Sequence, residues 1–493
     1  MGNNNERGPR HLPPSGGSYR PLSSDQIGRI HETALRVLEE VGVRVESPRI
    51  RAIYTDNGCS VDSSGDRVLL PPEVVEHALA DAPDVVTLWS RDGSEIELSG
   101  NRIHFGTGGA ATQVLDIETG EKRPSRARDN YELALLADQL PEIDFFVRPA
   151  SARDISDREM AVNEFYASMS GTRKHVMGAP YNPAGVRKVT ELGEVLAGGH
   201  RELSERPFLS FILTIVRSPL HLDRMGGHTL VRAVRQGVPI TISCPPMMGF
   251  SAPLTLAGTL TQLHAEEMAG LSLAQMIRPG APVIYGGVPS VTEMHRVRYL
   301  AGAVEFGMMN AAVPQLSRYI GIPNYNSAGA TEAKQPDIQA VYEKSFSLLQ
   351  CALSGSNCIH HAAGMLESLL TVSAEQIIID HELIQLARRA VEGVEVNEDT
   401  LAFDAIREGV AEGNFLSLDH TIEHLREEIA EPVLAERGED EDRRTINVDR
   451  VREKANKRAK TLLKRSEQED FEPPIPSDKD AEIRERFSIH FNR

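Results

Sequence analysis

The sequence predicts an α/β protein in which a (β/α)8 barrel follows an α+β cap and precedes a helical extension. Short apolar runs alternate with helical stretches from residue 143 onward. Eight candidate strands alternate in this way, which favours a closed parallel barrel over an open sheet. The chain of 493 residues is also longer than one barrel of about 250 residues, so further domains are expected.

The clearest strand–helix unit runs from Thr241 to Gly286. It begins with a short apolar run, passes through a loop rich in Gly and Pro, and continues into a helical stretch with small residues. A second apolar run, Pro282 to Tyr285, then follows. A helical crossover of this kind returns a strand parallel to the first one. The long loop between strand and helix lies on the side where α/β barrels keep their chemistry.

The other candidate strands also alternate with helical stretches, and the one near Tyr325 has the weakest apolar pattern. In order, the predicted strands are Phe145–Arg148, His175–Gly178, Leu209–Ile215, Ile240–Cys244, Val283–Gly286, Pro314–Ser317, the stretch near Tyr325, and Cys358–His361.

Four domains follow from these patterns. Residues 1–20 are polar and rich in Gly and Pro, which predicts a disordered tail. Residues 21–140 form the α+β cap, residues 141–372 the barrel, and residues 373–493 a charged, helical C-terminal extension. The glycine-rich segment IHFGTGGAAT at the end of the cap matches no nucleotide-binding loop, because it lacks both the G-x-G-x-x-G spacing and a phosphate-binding lysine.

Composition excludes several classes of function. The formal charge of −18 argues against nucleic-acid binding, which needs a basic face. No apolar stretch of about 18 residues is present to span a membrane, and the N-terminus lacks the apolar core of a secretory signal. The four cysteines are scattered and form no C-x-x-C pair, which is typical of a reducing compartment. We therefore expect a cytoplasmic protein.

A histidine pair, His360–His361, ends the last predicted barrel strand. A His at the carboxyl end of a barrel strand is a candidate site residue, although a structural His with a hydrogen-bond partner fits the pattern equally well. Strand alternation predicts one imidazole inside the barrel and one outside. Cys358 and His360 share one face of that strand and could bind zinc together, but no third ligand occurs at a recognisable spacing.

Aromatic side chains at the ends of the predicted strands form another candidate site. Ring faces attract a quaternary ammonium, which has no N–H to donate, with about 0.5–2 kcal/mol for each contact. Core packing is the alternative explanation for each ring. Arg318 follows a predicted strand and could bind a substrate carboxylate with two hydrogen bonds, or form an ordinary salt bridge.

Four segments in the same order resemble the trimethylamine methyltransferase (MttB-like) superfamily, over a span from about Leu22 to Pro432. They are CPPMMGFSAPLTLAGTLTQLHAEEMAGLSLAQMIRPGAPVIYG, HFGTGGAATQVLDIETGEKRPS, ATEAKQPDIQAVYEKSFSLLQCALSGSNCIHHAAGMLES and NFLSLDHTIEHLREEI.

The resemblance implies a TIM barrel that demethylates a methylated amine and passes the methyl group to Co(I) of a separate corrinoid protein. Archaeal trimethylamine enzymes of the superfamily carry pyrrolysine in the barrel, and this chain has only standard residues. The resemblance places the pyrrolysine slot in the region Tyr325–Gln339. The chain is most similar to the pyrrolysine-free members, which implies a quaternary amine such as glycine betaine as substrate.

We assign roles on this basis, with no catalytic residue and no metal bound directly by the chain. The methylammonium group is expected to lie against Phe105, Tyr285 and Tyr325. The substrate carboxylate is expected to bind Arg318 and His361. The residues that face the cob(I)alamin or related corrinoid of the partner protein are expected to be Gly249, Phe250 and Gly329.

Two other functions fit the residues. One is a zinc-dependent methyltransferase that uses Cys358 and His360, and the other is a non-catalytic protein that binds quaternary amines, such as an osmolyte sensor. A homo-oligomer is expected in each case, because barrels of this size often dimerise.

Overall fold

The computed structural model describes residues 14–435 and 450–491, except for the side chains of residues 426 and 427. Its centre is a ring of eight parallel strands. They are β1 (His104–Thr107), β2 (Phe145–Val147), β3 (His175–Gly178), β4 (Leu209–Leu213), β5 (Ile240–Cys244), β6 (Val283–Gly287), β7 (Tyr325–Ser327) and β8 (Cys358–Ala363).

Hydrogen bonds run around the whole ring. The sheet order is β6-β5-β4-β3-β2-β1-β8-β7, with every pair parallel. A parallel bridge between Tyr285 and Asn324 joins β6 to the residue before β7, and the Tyr285 amide donates to the carbonyl oxygen of Pro323 at 2.9 Å. The predicted barrel is therefore confirmed.

One helix follows each strand and packs on the outside of the ring. These helices are α1 (Ala127–Asp138), α2 (Met160–Gly171), α3 (Pro183–Ala197), α4 (Arg224–Val234), α5 (Leu256–Ile277), α6 (Val304–Tyr319), α7 (Ile338–Ser354) and α8 (Ala374–Glu392). Side-chain oxygens accept a hydrogen bond from the first-turn backbone in five of them, at Asn182, Asp223, Thr255, Asp337 and Ser373. Such N-caps fix where each helix begins.

The predicted strand Pro314–Ser317 is wrong, because these residues lie inside α6. A short apolar run with a proline does not distinguish a strand from a buried helix. Pro314 has no N–H for the carbonyl of Asn310, and the Nδ2 of Asn326 donates to that carbonyl instead, at 2.7 Å. The missing strand is β1, which lies within residues 21–140, the segment that the sequence assigned to the cap.

The N-terminal segment packs on the outside of α5. Its helices are Ser24–Arg36, Pro48–Asp56 and Pro72–Ala80, with a π-helical turn at Val37–Val41, and its short strands are Val43–Val45, Ser60–Val61 and Arg67–Leu69. The hydroxyl of Tyr54 donates to the carbonyl of Ala269 at 2.9 Å, which ties this segment to α5.

A β-hairpin, Val86–Trp89 with Glu95–Leu98, closes the amino-terminal end of the barrel. The amide of Trp89 donates to Pro207, just before β4, and that of Arg91 donates to Arg173, just before β3. Apolar side chains of the hairpin pack on the barrel interior in one cluster. It contains Val86, Leu88, Ile96 and Leu98 with Phe145, Val147, Met177, Ile284, Tyr325 and Cys358.

The predicted disordered tail, residues 1–20, falls into two parts. Residues 1–13 lie outside the described residues. From residue 14 the chain is ordered, because Ser15 forms a β-bridge with Arg102 and the amide of Gly16 donates to Asn101 at 2.9 Å. The prediction of disorder is therefore wrong for residues 14–20.

The remaining elements lie in loops and after α8. Short loop strands are Gln113–Leu115, Lys122–Pro124, Val216–Arg217, His221–Leu222, Met247–Met248, Ser290–Glu293, Arg298–Leu300, Met365–Leu366 and Thr371–Ser373, and a short helix is His200–Glu205. After α8 come the helices Phe403–Glu412, Asp419–Glu428, Arg450–Leu463 and Ser477–Arg486, with a 3-10 turn at Lys464–Glu467.

Candidate active site

The two imidazoles at the end of β8 lie together at the carboxyl-terminal mouth of the barrel. Their ring centroids are 3.7 Å apart, and the His360 ring stacks on Tyr325 at 4.0 Å. The register of β8 against β1 shifts between Ile359 and Ala363, and His361 has a φ of 61°. This irregularity breaks the strand alternation, so the prediction of one imidazole inside and one outside is wrong.

Hydrogen bonding fixes the tautomer of His360. Its Nδ1 lies 2.6 Å from the carbonyl oxygen of Asn326, which can only accept, so Nδ1 carries the hydrogen. Burial lowers the pKa of His360 to about 3, which keeps the ring neutral. Nε2 therefore carries a lone pair, and no hydrogen-bond partner for it is found in residues 14–435 and 450–491.

His361 is held on the other side by β7. Its Nδ1 lies 2.7 Å from the hydroxyl oxygen of Ser327. Burial lowers the pKa of His361 well below its usual value, with smaller contributions from His360 and Lys344. Both rings at the mouth are thus uncharged near neutral pH.

Two glycines allow the neighbouring loops to approach the histidines. A Cβ on Gly108, in the loop after β1, would lie 3.1 Å from the backbone nitrogen of His361. Gly329, in the loop after β7, has a φ of 74°, and a Cβ there would lie 2.9 Å from the Cα of Ala362. Only glycine combines that backbone conformation with so close an approach.

A buried ion pair supports these loops from behind. Lys344 Nζ on α7 lies 3.1 Å from Asp380 Oδ2 on α8, and both side chains are fully buried. Lys344 also donates to the carbonyl of Gly329, and Asp380 accepts from the amide of Gly364 at 2.7 Å. The pair therefore links the loops that follow β7 and β8, on either side of His361.

A second buried pair stands at the ends of β2 and β3. Arg148 Nε lies 2.9 Å from Glu164 Oε2, and the hydroxyl of Tyr181 donates to the same oxygen at 2.9 Å. The Arg148 guanidinium stacks over the Tyr181 ring at 5.2 Å. Its charge is thus neutralised by Glu164.

Two buried glutamates of α5 hold backbone at the mouth, Glu267 at the ends of β5 and β6 and Glu266 in the loop after β4. Glu267 accepts from the amides of Cys244 and Gly286, each at 3.2 Å, and burial raises its pKa well above the usual value. Glu266 accepts from Ser218 Oγ at 2.6 Å, and burial raises its pKa to about 7. Both glutamates use their oxygens to position backbone.

Exposed apolar side chains form one rim of the mouth, on the loops after β5 and β6. Met247–Met248 pairs with Ser290–Glu293. Gly249 has a φ of 86°, and a Cβ there would lie 2.7 Å from Met294 Sδ and 2.9 Å from a methyl carbon of Leu254. Phe250, Leu254 and Met294 are each more than half exposed. We call these three side chains the rim patch.

The structure places three of the five predicted substrate residues away from the barrel interior. Phe105 points outward on β1, where the guanidinium of Arg388 covers its ring at 5.1 Å. Tyr285 points outward to α5, and its hydroxyl lies 3.1 Å from His264 Nδ1. Strand alternation explains both outward directions, because Gly106 and Gly286, the next residues along each strand, occupy the inward positions.

Arg318 lies at the amino-terminal end of the barrel, because it belongs to the last turn of α6. It donates to the carbonyl oxygens of Gly355 at 3.0 Å and Ser354 at 3.1 Å, and so caps the end of α7. Burial lowers the pKa of its guanidinium to about 10. Arg318 therefore does not reach the mouth.

Tyr325 and His361 are the predicted substrate residues that the structure brings together, with His360 between them. Tyr325 lies inside the barrel but is 2% exposed, with the His360 ring on its face. The residues predicted to face the corrinoid, Gly249, Phe250 and Gly329, all lie in loops at the mouth.

Sequence reasoning missed the buried charges Lys344, Asp380, Arg148 and Glu164. A partial signal was present, since Asp380 follows Ile377–Ile379 and Arg148 follows Phe145–Val147, both apolar runs. Their partners lie 12 or more positions away along the chain, so the pairing itself could not be read from local patterns.

Comparison with known proteins decides the family. The sequence profile described as trimethylamine methyltransferase (MTTB) matches residues 5–488. The chain is 30% identical to trimethylamine methyltransferase MttB of Desulfitobacterium hafniense, over 82% of each chain. The chain belongs to the trimethylamine methyltransferase family.

Other members of the family have similar sequences, and a solved structure has a similar fold. The chain is 31% identical to MttB of Methanosarcina barkeri over 81% of this chain and 82% of that protein. It is 29% identical to the glycine betaine methyltransferase of D. hafniense over 85% and 87%. The fold resembles the crystal structure of M. barkeri monomethylamine methyltransferase MtmB, with a TM-score of 0.54 at 13% identity over 90% and 89% of the two chains.

Two further findings concern the part of this family member that the structure describes. No group of three or more His, Cys, Asp or Glu side chains there could hold a metal ion. None of the helices described is long and apolar enough to cross a bilayer.

Proposed function

We propose that the protein transfers a methyl group from a quaternary amine, glycine betaine or a similar compound, to Co(I) of a corrinoid carried by a separate protein. Family membership supports methyl transfer from an amine, and one relative is named glycine betaine methyltransferase. The observation that carries the proposal is the uncharged mouth, where His360 and His361 are neutral and the nearby ions Lys344 and Arg148 are each paired with a carboxylate.

A quaternary amine suits such a mouth. Its nitrogen already bears a positive charge, so a neutral amine leaves when the methyl group is transferred. Neutral imidazoles do not repel the cation, and the nearby carboxylates Asp380 and Glu164 are already paired with Lys344 and Arg148, so they do not over-stabilise the charge that leaves the nitrogen in the transition state. Orientation and exclusion of water are then the main tasks of the barrel.

The two histidines offer opposite hydrogen-bonding groups. His360 has an Nε2 lone pair for which the described residues supply no hydrogen-bond donor. If the Ser327 hydroxyl donates to His361 Nδ1, then His361 Nε2 carries a hydrogen that can donate to a substrate carboxylate. We therefore keep His361 as the residue that binds the substrate carboxylate and remove Arg318 from that role.

The mouth also fits an acceptor carried by another protein. When bound, the corrinoid supplies the nucleophile that accepts the methyl group. The rim patch of Phe250, Leu254 and Met294 is an exposed apolar surface, as expected for a protein-docking site beside an active site. Because Gly249 and Gly329 have no side chain, the loops after β5 and β7 leave room for the corrinoid to approach the mouth.

Methyl transfer to cob(I)alamin, followed by absorbance, tests the proposal with glycine betaine, carnitine and trimethylamine as donors. We expect methylcobalamin with at least one quaternary amine and none with trimethylamine. Activity only with trimethylamine, or no activity with any donor, would refute it. Metal analysis of the active protein addresses the zinc-dependent alternative, since stoichiometric zinc required for activity would favour that mechanism.

A further inference from the structure

A segment after α8 carries an unusual number of exposed apolar side chains. We call residues 393–433 the arm. Its helices are Phe403–Glu412 and Asp419–Glu428. Twelve of its large apolar residues are each at least 45% exposed: Val394, Val396, Leu401, Phe403, Ile406, Val410, Phe415, Leu416, Ile422, Leu425, Ile429 and Val433.

These side chains form stripes rather than scattered positions. Phe403, Ile406 and Val410 share one face of the first helix, at a spacing of three and four residues. Ile422 and Leu425 repeat the spacing on the second helix. An amphipathic helix is stabilised mainly by burying its apolar face, so these two short helices need a covering surface.

The rest of the described chain supplies little cover. The arm continues directly from α8, and its far end returns to that helix, where Arg389 lies 3.3 Å from Glu428 and Glu382 accepts from the amide of Val433 at 2.6 Å. Gly409 and Leu418 are the buried residues among the arm side chains that the structure describes. The ring of Phe415, in the linker between the two helices, covers Gly409.

The arm is also strongly acidic. It contains eleven Asp and Glu and two Arg, a formal charge of −9, which is half of the net charge of the chain. Two arms face to face would repel each other. A covering surface must therefore be apolar and free of negative charge, or basic.

The neighbouring side of the barrel has both properties. α7 presents the exposed apolar residues Ile338, Tyr342 and Phe346, next to a groove of about 190 Å³ that Val304 also lines. The helix Arg450–Leu463 contains six Lys and Arg and one Glu. It packs on α8, with Arg452 Nε 3.0 Å from Glu375. Apolar and basic surfaces thus lie on either side of α8.

We propose that the arm of one molecule covers the α7–α8 side of a second copy of this chain, and that the second arm does the same in return. A reciprocal contact of this kind closes as a two-fold dimer and buries both surfaces. The arm leaves α8 at the amino-terminal end of the barrel, opposite the mouth. The inference does not depend on the proposed chemistry.

Light scattering on the full chain tests the proposal. We expect a dimer or a multiple of it, and we expect the double variant Phe403→Ser/Val410→Ser to raise its dissociation constant about 100-fold, because each buried apolar side chain contributes about tenfold. Met225→Ser, an exposed apolar position on α4, should leave the mass unchanged. A monomeric parent, or an unchanged mass for the arm variant with retained circular dichroism, would overturn the proposal.

Disulfide trapping tests the pairing itself. The four native cysteines are buried, so an introduced surface cysteine reacts alone. Oxidation of a mixture of Phe403→Cys and Phe346→Cys chains should trap a mixed dimer, which neither variant forms by itself. Cross-linking of Phe403→Cys alone would show arm-to-arm contact, and capture of a corrinoid protein at the arm would assign it to another partner. Either result would overturn the proposal.

Discussion

His360 donates its Nδ1 hydrogen to the carbonyl oxygen of Asn326 across 2.6 Å, and this single bond determines what the barrel mouth offers to a ligand. A carbonyl oxygen cannot donate, so Nδ1 carries the ring hydrogen and Nε2 has a lone pair as long as the ring is neutral. Burial keeps it neutral by lowering its pKa to about 3. Asn326 of β7 thus fixes His360 Nε2 as a hydrogen-bond acceptor before any substrate binds.

Replacing His360 by Phe tests this acceptor. The variant keeps a ring that can stack on Tyr325 and removes both ring nitrogens. A quaternary amine has no N–H to donate, so the Nε2 lone pair acts through its partial negative charge on the methylammonium cation. We expect kcat/KM for the quaternary amine to fall about 10- to 100-fold, equal to about 1.4–2.8 kcal/mol. Steady-state kinetics measures the effect. Unchanged kinetics in a folded variant would contradict a role for Nε2.

The buried pair Lys344–Asp380 should show strong coupling. Lys344→Met leaves Asp380 buried without a partner, and we expect the free energy of unfolding to fall by about 3–5 kcal/mol. The double variant Lys344→Met/Asp380→Leu should lose less than the sum of the two single variants. Urea unfolding of the four proteins gives the coupling energy, and additive losses would contradict direct pairing.

Gly329 and Gly321 form a matched pair for the contact beside His361. Both have φ near 70°, but a Cβ on Gly321 meets no atom within 4 Å, whereas one on Gly329 approaches the Cα of Ala362 to 2.9 Å. Gly321→Ala should cost about 1–2 kcal/mol from backbone conformation alone. Gly329→Ala should cost more and also lower methyl transfer. Equal losses in thermal unfolding would show that the close approach is unimportant.

Stability should decrease as the pH falls below about 6.5. Burial lowers the pKa of His104 and His175 to about 4, and of His264, His360 and His381 to about 3. These rings stay neutral in the folded protein but gain protons in the unfolded chain. Each ring therefore lowers the free energy of unfolding by up to about 1.4 kcal/mol for each pH unit below 6.5.

Glu266 acts in the opposite direction, because its raised pKa of about 7 makes its contribution largest below pH 4.5. Glu164, Glu267, Glu332 and Asp380 also have raised pKa values, but the seven histidines with a lowered pKa, His31 and His361 included, outnumber these five carboxylates. Urea midpoints between pH 7.5 and 4.5 measure the slope, which should be shallower for His175→Gln and unchanged for the exposed His200→Gln. A midpoint that rises as the pH falls from 7 to 5 would contradict the prediction.

The rim patch should bind the corrinoid protein. Phe250 is 67% exposed, and burying a Phe side chain contributes about 1.5–3 kcal/mol, so Phe250→Ser should weaken binding of the cognate corrinoid protein at least tenfold. Surface plasmon resonance measures the affinity, with Val85→Ser as the control, since Val85 is 41% exposed beside the hairpin at the amino-terminal end of the barrel. Equal affinities for both variants would place docking elsewhere.

Strand and helix periodicity predicted most of the barrel, since seven of its eight strands were identified from apolar runs. β1 was missed because its sequence, HFGT, is short and contains glycine, and it was assigned to the preceding cap. α6 was split by a false strand because Pro314 interrupts an apolar stretch, and the compensating bond from Asn326 is not visible in local sequence.

The candidate site was harder to predict than the fold. His361 was placed correctly at the mouth because it ends a strand, whereas the directions of Phe105 and Tyr285 depend on which alternate positions face inward. The inward neighbours are glycines, which carry no apolar signal. The bulge that turns both imidazoles together depends on pairing with β1, a contact between residues more than 250 positions apart.

The hairpin formed by Val86–Trp89 and Glu95–Leu98 covers the amino-terminal end of the barrel, so within the described residues the mouth is the open end. Under the proposed reaction, the amine must enter before the acceptor protein settles over the opening, and the demethylated product leaves only after that protein departs. Turnover with the full partner therefore follows a compulsory order. Acceptor that arrives first forms a dead-end complex, so a large excess of it should inhibit the enzyme.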